Sequence, residues 1–303
     1  MNAVAEMHTP TLRLNEPMAR HTSWRVGGPA DRYFAASSRQ QLQAFMAGLP
    51  ADEPLTWVGL GSNLLVRDGG IRGTVIALAP GLDRIAHDRA GMVHADAGAH
   101  CARLAKFCAG QSLAGLGFLI GVPGTVGGAL AMNAGAHGGE TWPQVDEVEV
   151  LFRDGRIEWL AADAFDFGYR QVSLPRGFAG FVGARFALAA DPQGQAALEM
   201  KQWLARRKAT QPVGKPTCGS VFRNPPGDHA ARLIEQCGLK GQRIGGAVVS
   251  ELHANFIINE ADATAADIEA LIAHVQATVQ QRSGIALQAE VRVVGEAMPG
   301  VAP

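Results

Sequence analysis

The spacing of hydrophobic and polar positions predicts a chain in which strands and helices alternate. Short runs rich in β-branched and aromatic residues, bounded by glycine or polar clusters, indicate strands. They predict strands around 33–34 and at 55–58, 63–66, 72–78, 92–97, 145–153, 156–160, 178–188, 244–249, 256–258 and 286–294. Apolar residues three and four positions apart predict helices at 38–49, 100–111, 195–210, 228–237 and 264–284. Residues 1–15 are expected to be a loose arm.

Turn and capping residues set several of these boundaries. Asp154-Gly155, between two strand patterns, is a strong hairpin signal. Thr264 followed by Asp267 is typical of a capping box, and we expect Asp228 to cap the preceding helix. The sequence contains no internal repeat, and the pattern predicts an α+β (mixed α/β) fold with a larger first domain and a smaller second one. We place the boundary between them at 190–191.

The composition is that of a soluble globular protein. Of 303 residues, 47% are hydrophobic and 18% charged, and 27 Lys+Arg against 28 Asp+Glu leave a net charge of −1. We therefore expect no nucleic-acid partner, and the basic cluster Arg206-Arg207-Lys208 is too short to change that. The first residues carry no basic segment followed by an apolar one, so we expect no secretory signal.

Four cysteines, Cys101, Cys108, Cys218 and Cys237, show neither a Cys-x-x-Cys pair nor metal-ligand spacing. Cys101 and Cys108 lie on one face of a predicted helix, so we expect both thiols to point into the core. No metal is predicted, and a reducing cytoplasm is the simplest setting for free thiols.

Residues 115–139 form the most unusual stretch of the chain. It holds nine glycines and one proline, and no charged residue lies between Lys106 and Glu140. Because glycine disfavours helices and strands, we predict turns whose uncovered N–H groups can receive phosphate oxygens. The alternative is a buried turn in which the glycines allow tight packing. Pro123 and Asn133 interrupt the apolar runs before the ~20 residues that a membrane span needs.

Two familiar phosphate-binding motifs do not occur in the sequence. Gly115-Leu-Gly117 lacks the third glycine of GxGxxG, and no GxxxxGK[ST] is found. A second glycine turn, Gly59-Leu-Gly-Ser-Asn63, directly follows a predicted buried strand. Turns in this position often carry ligand contacts, and a purely structural tight turn is the alternative.

Four polar residues deserve a chemical interpretation, although composition cannot choose a reaction. Glu290 lies in a predicted buried strand, so its carboxylate must be paired, protonated or functional. Ser220 lies in a long loop, 210–226, and lacks the GxSxG pattern of serine hydrolases. His253 precedes a strand and is either a ligand contact or a structural histidine. Arg170, in Gly-Tyr-Arg, indicates only a surface cation when taken alone.

Eight segments in order carry a family resemblance. They are HTSWRVGGPA (21–30), VGLGSNLLV (58–66), GVPGTVGGALAMNAGAHG (121–138), FGYR (167–170), GSVFRNP (219–225), LIEQCGLKG (233–241), HANFIIN (253–259) and AEVRVVG (289–295). Together they resemble the UDP-N-acetylenolpyruvoylglucosamine reductases of peptidoglycan synthesis. The matches span nearly the whole chain, and their number and order make the resemblance specific.

The resemblance implies a flavoenzyme with non-covalent FAD, and the 59–64 turn has no histidine that could form a covalent tether. Residues 16–190 would form an FAD-binding domain of the vanillyl-alcohol-oxidase (PCMH) type, with lobes at about 16–80 and 81–190. Residues 191–303 would bind the substrate. The residues implied in FAD binding are Gly59, Gly61, Ser62, Asn63, Leu64, Gly121, Pro123, Gly124, Thr125, Gly128, Asn133 and Gly135.

The same resemblance implies NADPH as co-substrate and UDP-N-acetylglucosamine enolpyruvate as substrate. Hydride from flavin N5 would reach the terminal vinyl carbon, and negative charge would develop toward the adjacent carboxylate. Arg170 and Glu290 would stabilise that charge, and Ser220 would protonate the α carbon to give UDP-N-acetylmuramate. The residues matched to contacts with the nucleotide sugar or its carboxylate are Tyr169, Lys208 and Asn224.

Two features depart from the family pattern. About fifty residues separate Arg170 from Ser220, which resembles the shorter subtype without a tyrosine-bearing lid loop. Cys218 stands where a small inert residue such as alanine is more familiar. We expect it to be a packing residue, whose closeness to Ser220 would still make the enzyme sensitive to thiol reagents.

Two other functions stay open at this point. An oxidase of a sugar alcohol or lactone would use the same flavin fold, although the GSVFRN and AEVR segments argue against it. A non-catalytic nucleotide-sugar sensor would keep the fold, but it would not need Arg170, Ser220 and Glu290 together. The sequence requires neither membrane insertion nor a protein partner.

Overall fold

The computed structural model describes residues 11–87 and 91–298. Its helices are α1 (Arg39–Ala47), α2 (Cys101–Gly110), α3 (Val126–Met132), α4 (Gln195–Thr210), α5 (Ala230–Gln236) and α6 (Ala265–Ser283). Its strands are β1 (Thr11–Pro17), β2 (Pro29–Ala35), β3 (Leu55–Val58), β4 (Leu64–Val66), β5 (Ile71–Ala77), β6 (Ile85–His87), β7 (Val93–Asp96), β8 (Gly135–Ala136), β9 (Gly139–Glu140), β10 (Val145–Phe152), β11 (Ile157–Ala161), β12 (Phe167–Gly168), β13 (Gln171–Val172), β14 (Phe178–Phe186), β15 (Arg243–Ile244), β16 (Ala247–Val249), β17 (Ile257–Asn259) and β18 (Arg292–Val294). This mixture confirms the predicted α+β class.

The chain divides into two compact units, each assembled from separate stretches of sequence. The first unit comprises Met1–Leu14, Arg32–Gly59 and Gly73–Leu204. The second comprises Asn15–Asp31, Leu60–Arg72 and Ala205–Pro303. The domain boundary at 190–191 stays a prediction.

The first unit is built on a five-stranded sheet with the order β11–β10–β14–β7–β6. Strand β10 pairs antiparallel with both β11 and β14, and Asp154-Gly155 joins β10 to β11 as predicted. A second sheet has the order β1–β2–β5–β3, in which β3 runs parallel to β5. Buried side chains such as Leu104 of α2, Leu130 of α3 and Phe186 of β14 fill the core.

A buried ion-pair network ties α1 to the five-stranded sheet. Arg39 Nε donates to Glu149 Oε1 at 2.7 Å, and Nη2 donates to Asp96 Oδ1 at 2.8 Å. The two acidic residues are 5% and 3% exposed. Burial by itself lowers the pKa of Arg39, but its hydrogen bonds to both carboxylates raise the pKa overall. The network is therefore a structural cluster in which two buried carboxylates share the one cation of Arg39.

The second unit is organised around α6. Thr264 Oγ1 accepts from the Asp267 N–H, and Asp267 Oδ2 accepts from the Thr264 N–H, each at 3.0 Å, which confirms the predicted capping box. The Asp68 carboxylate also accepts from the first two N–H groups of the helix, each at 3.0 Å. Leu271 and Val275 lie on the buried face of α6 and contribute to the core of this unit.

Two small sheets complete the second unit. Strands β15, β16 and β17 pair antiparallel, and β18 pairs in parallel with β4. The fully buried Trp24 donates its indole N–H to the Ile257 carbonyl at 2.8 Å. The tryptophan of the HTSW segment is thereby anchored to β17.

The structure differs from several predicted elements. Residues 11–17 form strand β1 rather than part of a loose arm, and residues 1–10 lie outside the described part. The predicted strand 244–249 is a hairpin, because Gly245 adopts a left-handed φ of +51° between β15 and β16. Residues 167–172, for which the pattern predicts neither a strand nor a helix, form the hairpin β12–β13. Asp228 does not cap α5: its N-cap is His229, and Asp228 pairs with Arg232 instead.

Candidate functional site

The predicted site residues divide between the two units. The first unit holds Gly59, Gly121, Pro123, Gly124, Thr125, Gly128, Asn133, Gly135, Tyr169 and Arg170. The second holds Gly61, Ser62, Asn63, Leu64, Lys208, Ser220, Asn224 and Glu290. Within each unit, residues from distant parts of the sequence lie side by side.

Helix α3 occupies the middle of the glycine-rich stretch, which corrects the prediction that this stretch consists of turns. Thr125 caps the helix and its hydroxyl accepts from the Gly128 N–H at 3.4 Å. The N–H groups of Val126 and Gly127 donate at 2.8 Å to backbone carbonyls that precede α2. Because these donors are used inside the protein, the first turn of α3 does not provide the predicted cradle of uncovered N–H groups.

The two adjacent glycines of α3 have different surroundings. A Cβ at Gly127 would lie 3.0 Å from the Cβ of Ala97 and 3.2 Å from its carbonyl oxygen, so packing favours glycine there. Gly128 is exposed, and a Cβ at this position would meet only Thr125 Oγ1 within 4 Å, at 3.7 Å. A ligand can therefore approach the backbone at Gly128 closely. This open position fits the FAD that the family resemblance implies.

Gly59 and Thr125 bring two predicted FAD-binding segments together. A Cβ at Gly59 would lie 2.5 Å from Thr125 Oγ1 and 3.1 Å from Cγ2. The end of β3 thus lies against the N-cap of α3. Packing explains the glycine at 135, where an added Cβ would lie 2.5 Å from the Gly139 carbonyl oxygen. At Gly121 an added Cβ would lie 2.9 Å from Nε2 at the end of the His137 side chain.

Asn133 is a buried hydrogen-bonding centre at the end of α3, where it adopts a left-handed φ of +40°. Its Nδ2 donates to Glu140 Oε2 and to the Gly168 carbonyl, each at 3.0 Å. Its Oδ1 accepts from the Trp142 N–H at 3.1 Å, and the residue is 1% exposed. The amide thus holds the β12–β13 hairpin in place, and contact of Asn133 with FAD stays a prediction.

Arg170 lies in the two-residue turn of the β12–β13 hairpin and has an uncommon positive φ of +57°. Its Nη2 donates to the Gly135 carbonyl at 2.9 Å and its Nη1 to the Asn133 carbonyl at 3.3 Å. Both acceptors directly follow α3, so the glycine-rich stretch orients the guanidinium. The neighbouring Tyr169 is 52% exposed, and its ring centroid lies 5.2 Å from Arg170 Cζ.

In the second unit, Ser220 is exposed and follows Gly219, whose φ is +84°. The adjacent backbone is held from two sides. The Val221 N–H donates to the Asn255 carbonyl at 2.9 Å, and the Val221 carbonyl accepts from the Glu290 N–H at 2.7 Å. The structure therefore brings the Ser220 loop and the Glu290 segment together within one unit.

Glu290 lies before β18 and is partly exposed, which corrects the prediction of a long buried strand. The segment meets the Ser220 loop through an isolated bridge between Phe222 and Ala289, and only Arg292–Val294 continues as a strand. Asn63 Nδ2 donates to the Glu290 carbonyl at 3.1 Å. Asn63 is predicted to contact FAD, and in the structure its side chain contacts the backbone of a proposed catalytic residue.

Gly61 is required by the turn that precedes Asn63. Its φ is +60°, and a Cβ there would collide with the His21 carbonyl oxygen. The Ser23 N–H donates to the Gly61 carbonyl at 3.1 Å. The HTSW segment therefore supports the Gly-Ser-Asn turn. The geometry of this turn explains the glycine at position 61 without a ligand.

Cys218 is a packing residue, as expected. It is 5% exposed, and burial together with the nearby charge of Glu290 raises the pKa of its thiol. Because this thiol is shielded and neutral, we expect it to react slowly with thiol reagents, contrary to the sensitivity expected from its closeness to Ser220. His253 resembles it in being structural: burial lowers its pKa, and its Nδ1 accepts from the Asn255 N–H at 3.3 Å.

The predicted substrate contacts in the second unit have visible structural surroundings. Asn224 Oδ1 accepts from the Ala230 N–H at 3.1 Å and so supplies the side-chain cap of α5 that Asp228 does not. Lys208 is exposed in the last turn of α4. Contact of either residue with a nucleotide sugar stays a prediction.

Asn255 is a residue that sequence reasoning missed. It is 4% exposed and hydrogen-bonds through its side chain to both backbone groups of Phe222. Its presence in the HANFIIN segment was the only signal in the sequence, because nothing there indicates its partner.

Within the two described ranges, no helix has the length and apolarity to cross a membrane. The same residues include no group of three or more His, Cys, Asp and Glu side chains arranged to hold a metal ion.

Comparison with known proteins finds two matching family models and several similar reductases. Residues 211–294 match the family described as UDP-N-acetylenolpyruvoylglucosamine reductase, C-terminal domain, and residues 30–161 match the FAD binding domain family. The chain is 54% identical over 297 residues to the UDP-N-acetylenolpyruvoylglucosamine reductase of Alkalilimnicola ehrlichii, covering 98% of this chain and 99% of that protein. It is 55% identical over 284 residues to the protein of the same name in Methylococcus capsulatus, covering 93% of each. The crystal structure of UDP-N-acetylenolpyruvylglucosamine reductase from Thermus caldophilus matches with a TM-score of 0.80 at 34% identity, over 94% of this chain and 98% of that one.

Proposed function

The chain belongs to the UDP-N-acetylenolpyruvoylglucosamine reductase family, and on that premise we propose that it reduces the enolpyruvyl ether of UDP-N-acetylglucosamine to UDP-N-acetylmuramate. FAD is the cofactor and NADPH the reductant. The FAD-binding domain of the predicted type is followed by the reductase C-terminal domain. Full-length relatives named as reductases disfavour the alternative oxidase.

Bound FAD supplies hydride transfer between NADPH and the enolpyruvyl double bond. In the first unit, Gly59, Thr125 and the open backbone at Gly128 would hold it. In the second unit, the turn formed by 61–64 is the proposed FAD contact. These assignments rest on the resemblance, and the open space beside the Gly128 backbone supports them in the structure.

The observation that carries the proposed chemistry is the backbone contact between the Ser220 loop and Glu290. The Glu290 N–H donates to the Val221 carbonyl at 2.7 Å, so the loop that carries Ser220 and the segment that carries Glu290 are hydrogen-bonded to each other. Ser220 donates a proton to the α carbon, and Glu290 acts on the charge that develops at the neighbouring carboxylate. A serine hydroxyl is a weak acid, so this proton transfer needs a strongly basic carbon and close positioning.

Arg170 neutralises the substrate carboxylate in this proposal. Two backbone carbonyls, of Asn133 and Gly135, already direct its guanidinium, so its orientation does not have to be created when the substrate binds. Tyr169, Lys208 and Asn224 are the proposed contacts with the nucleotide sugar. We place the enzyme in the cytoplasm, where NADPH and the nucleotide sugar are available and free thiols stay reduced.

An anaerobic two-step titration tests the function. We expect the purified protein to show the visible absorption of FAD, to lose it on addition of NADPH, and to regain it on addition of UDP-N-acetylglucosamine enolpyruvate. Mass spectrometry should then detect UDP-N-acetylmuramate. Recovery of the absorption with air but not with the enolpyruvyl substrate would support an oxidase. A protein that does not bind FAD would overturn the proposal.

A further inference from the structure

We infer that Asn255 is a positioning residue for Ser220: its buried side chain holds the backbone that presents the proton donor. The inference rests on the function proposed above, in which Ser220 protonates the substrate. Asn255 does not need to touch the substrate, because its effect passes through residues 221 and 222.

The side-chain amide of Asn255 bonds to the backbone of the Ser220 loop as the backbone of a neighbouring strand would. Its Oδ1 accepts from the Phe222 N–H at 2.9 Å, and its Nδ2 donates to the Phe222 carbonyl at 2.8 Å. The Asn255 carbonyl accepts from the Val221 N–H at 2.9 Å. Three hydrogen bonds thus fix the two residues that follow Ser220.

The same two residues are connected on their other side to Glu290. The Val221 carbonyl accepts from the Glu290 N–H at 2.7 Å, and Phe222 bridges to Ala289. Residues 221–222 therefore lie between Asn255 and the Glu290 segment. Loss of the Asn255 amide leaves the Ser220 loop held on that side only by the bond from the Val221 N–H to the Asn255 carbonyl.

Burial makes these contacts difficult to replace with water. Asn255 is 4% exposed, Val221 is 0% and Phe222 is 2% exposed. Without the amide, a buried N–H and a buried carbonyl of Phe222 lose their partners, so the loop must shift to satisfy them. A shift of about 1 Å at a catalytic group can reduce a rate on the order of a hundredfold.

A separate measurement of the two half-reactions tests the inference on the FAD-loaded enzyme. Flavin reduction by NADPH does not use Ser220, so we expect Asn255→Ala to leave its rate within about twofold of wild type. Flavin reoxidation by the enolpyruvyl substrate should slow by about a hundredfold, mainly in its limiting rate rather than in the substrate concentration for half-saturation. The solvent deuterium isotope effect on this step should increase, because proton transfer becomes limiting.

Asn259 provides a matched control in the same segment. Its Nδ2 donates to the Trp24 carbonyl and its Oδ1 accepts from the Ala263 N–H, each at 2.9 Å. Its contact with the 210–226 loop runs from its backbone N–H to the Pro216 carbonyl at 3.0 Å, so it does not depend on the side chain. Asn259→Ala should lower the melting temperature while leaving the ratio of the two half-reaction rates and the isotope effect at their wild-type values. Asn255→Ser keeps a small neutral polar side chain at the buried position, and serves if the alanine variant does not fold.

Comparison of the Asn255 variants with Ser220→Ala separates the inference from the proposed function. An Asn255 variant with a wild-type reoxidation rate, or one that slows both half-reactions equally, overturns the positioning role. If Ser220→Ala is also slow in reoxidation, the proposed function survives that result. If Ser220→Ala reoxidises at the wild-type rate, the proton-donor assignment itself is wrong, and the positioning role falls with it.

Discussion

Replacing Gly128 with alanine adds one methyl group to the exposed side of α3. The nearest protein atom to that methyl is Thr125 Oγ1 at 3.7 Å, an ordinary contact distance, so the protein itself does not resist the substitution. Alanine is favoured over glycine within a helix by ~0.5–1 kcal/mol. The apoprotein should therefore be as stable as wild type or melt up to about 4 °C higher.

FAD binding should respond in the opposite direction. If the cofactor lies against the Gly128 backbone, the added methyl occupies space that the cofactor needs. A displacement that costs ~1.4 kcal/mol raises the dissociation constant tenfold. We expect an increase of at least about tenfold, measured by titrating the apoprotein with FAD and following flavin fluorescence.

Gly127→Ala is the matched comparison, one residue earlier in the same helix. Its methyl would lie 3.0 Å from the Cβ of Ala97 and 3.2 Å from the Ala97 carbonyl oxygen. Overpacking of this kind costs ~1–3 kcal/mol, so this variant should lose stability in the apoprotein. Wild-type affinity for FAD in Gly128→Ala, or a loss of apoprotein stability as large as that of Gly127→Ala, would refute the assignment of Gly128 to the cofactor.

Three further predictions follow from the same structure. Ser220→Ala should keep normal flavin reduction by NADPH but slow reoxidation by the enolpyruvyl substrate by about 10²- to 10⁴-fold in stopped-flow absorbance, and near-normal turnover would contradict the proton-donor role. Asn133→Gly keeps the left-handed backbone but removes the amide that bonds Glu140, Gly168 and Trp142, so the free energy of unfolding should fall by ~1–3 kcal/mol. The substrate KM should rise as the hairpin of Arg170 loses its support, and an unchanged KM would argue against this role of Asn133. Burial raises the pKa of Cys101 and Cys108 to about 12 and raises that of Cys218 as well. Because the reactive thiolate is scarce below a raised pKa, these three thiols of the native protein should react slowly with a thiol reagent at pH 8, and all four cysteines should react after denaturation; rapid labelling of Cys218 in the native protein would contradict this.

Local signals in the sequence predicted those parts of the fold that neighbouring residues determine. The Asp154-Gly155 hairpin and the Thr264 capping box depend on contacts a few residues apart, and both have the predicted form. The length of the strand around Glu290 depends instead on which distant backbone it pairs with. Its partners are the Ser220 loop and the 63–66 segment, which sequence periodicity cannot identify.

The glycine-rich stretch shows a similar limit for the site. Composition indicated that glycines were needed, but it could not separate Gly127, where packing against Ala97 favours glycine, from Gly128, which has open space around it. Propensity also argued against a helix here. The N-cap at Thr125 and the packing of Gly127 against Ala97 outweigh that local cost, and helix α3 forms.

The two proposed catalytic elements are supported by the same kind of side chain in separate units. Asn133 holds the hairpin of Arg170, and Asn255 holds the loop of Ser220; both are almost completely buried. A neutral amide can donate to one backbone group and accept from another without the desolvation penalty of a buried charge. A carboxylate would leave the carbonyl of Gly168 or Phe222 facing negative charge, and an alkyl side chain would leave it without a donor. Each unit can therefore fix its reacting side chain before substrate binds, through an asparagine that takes no part in the chemistry.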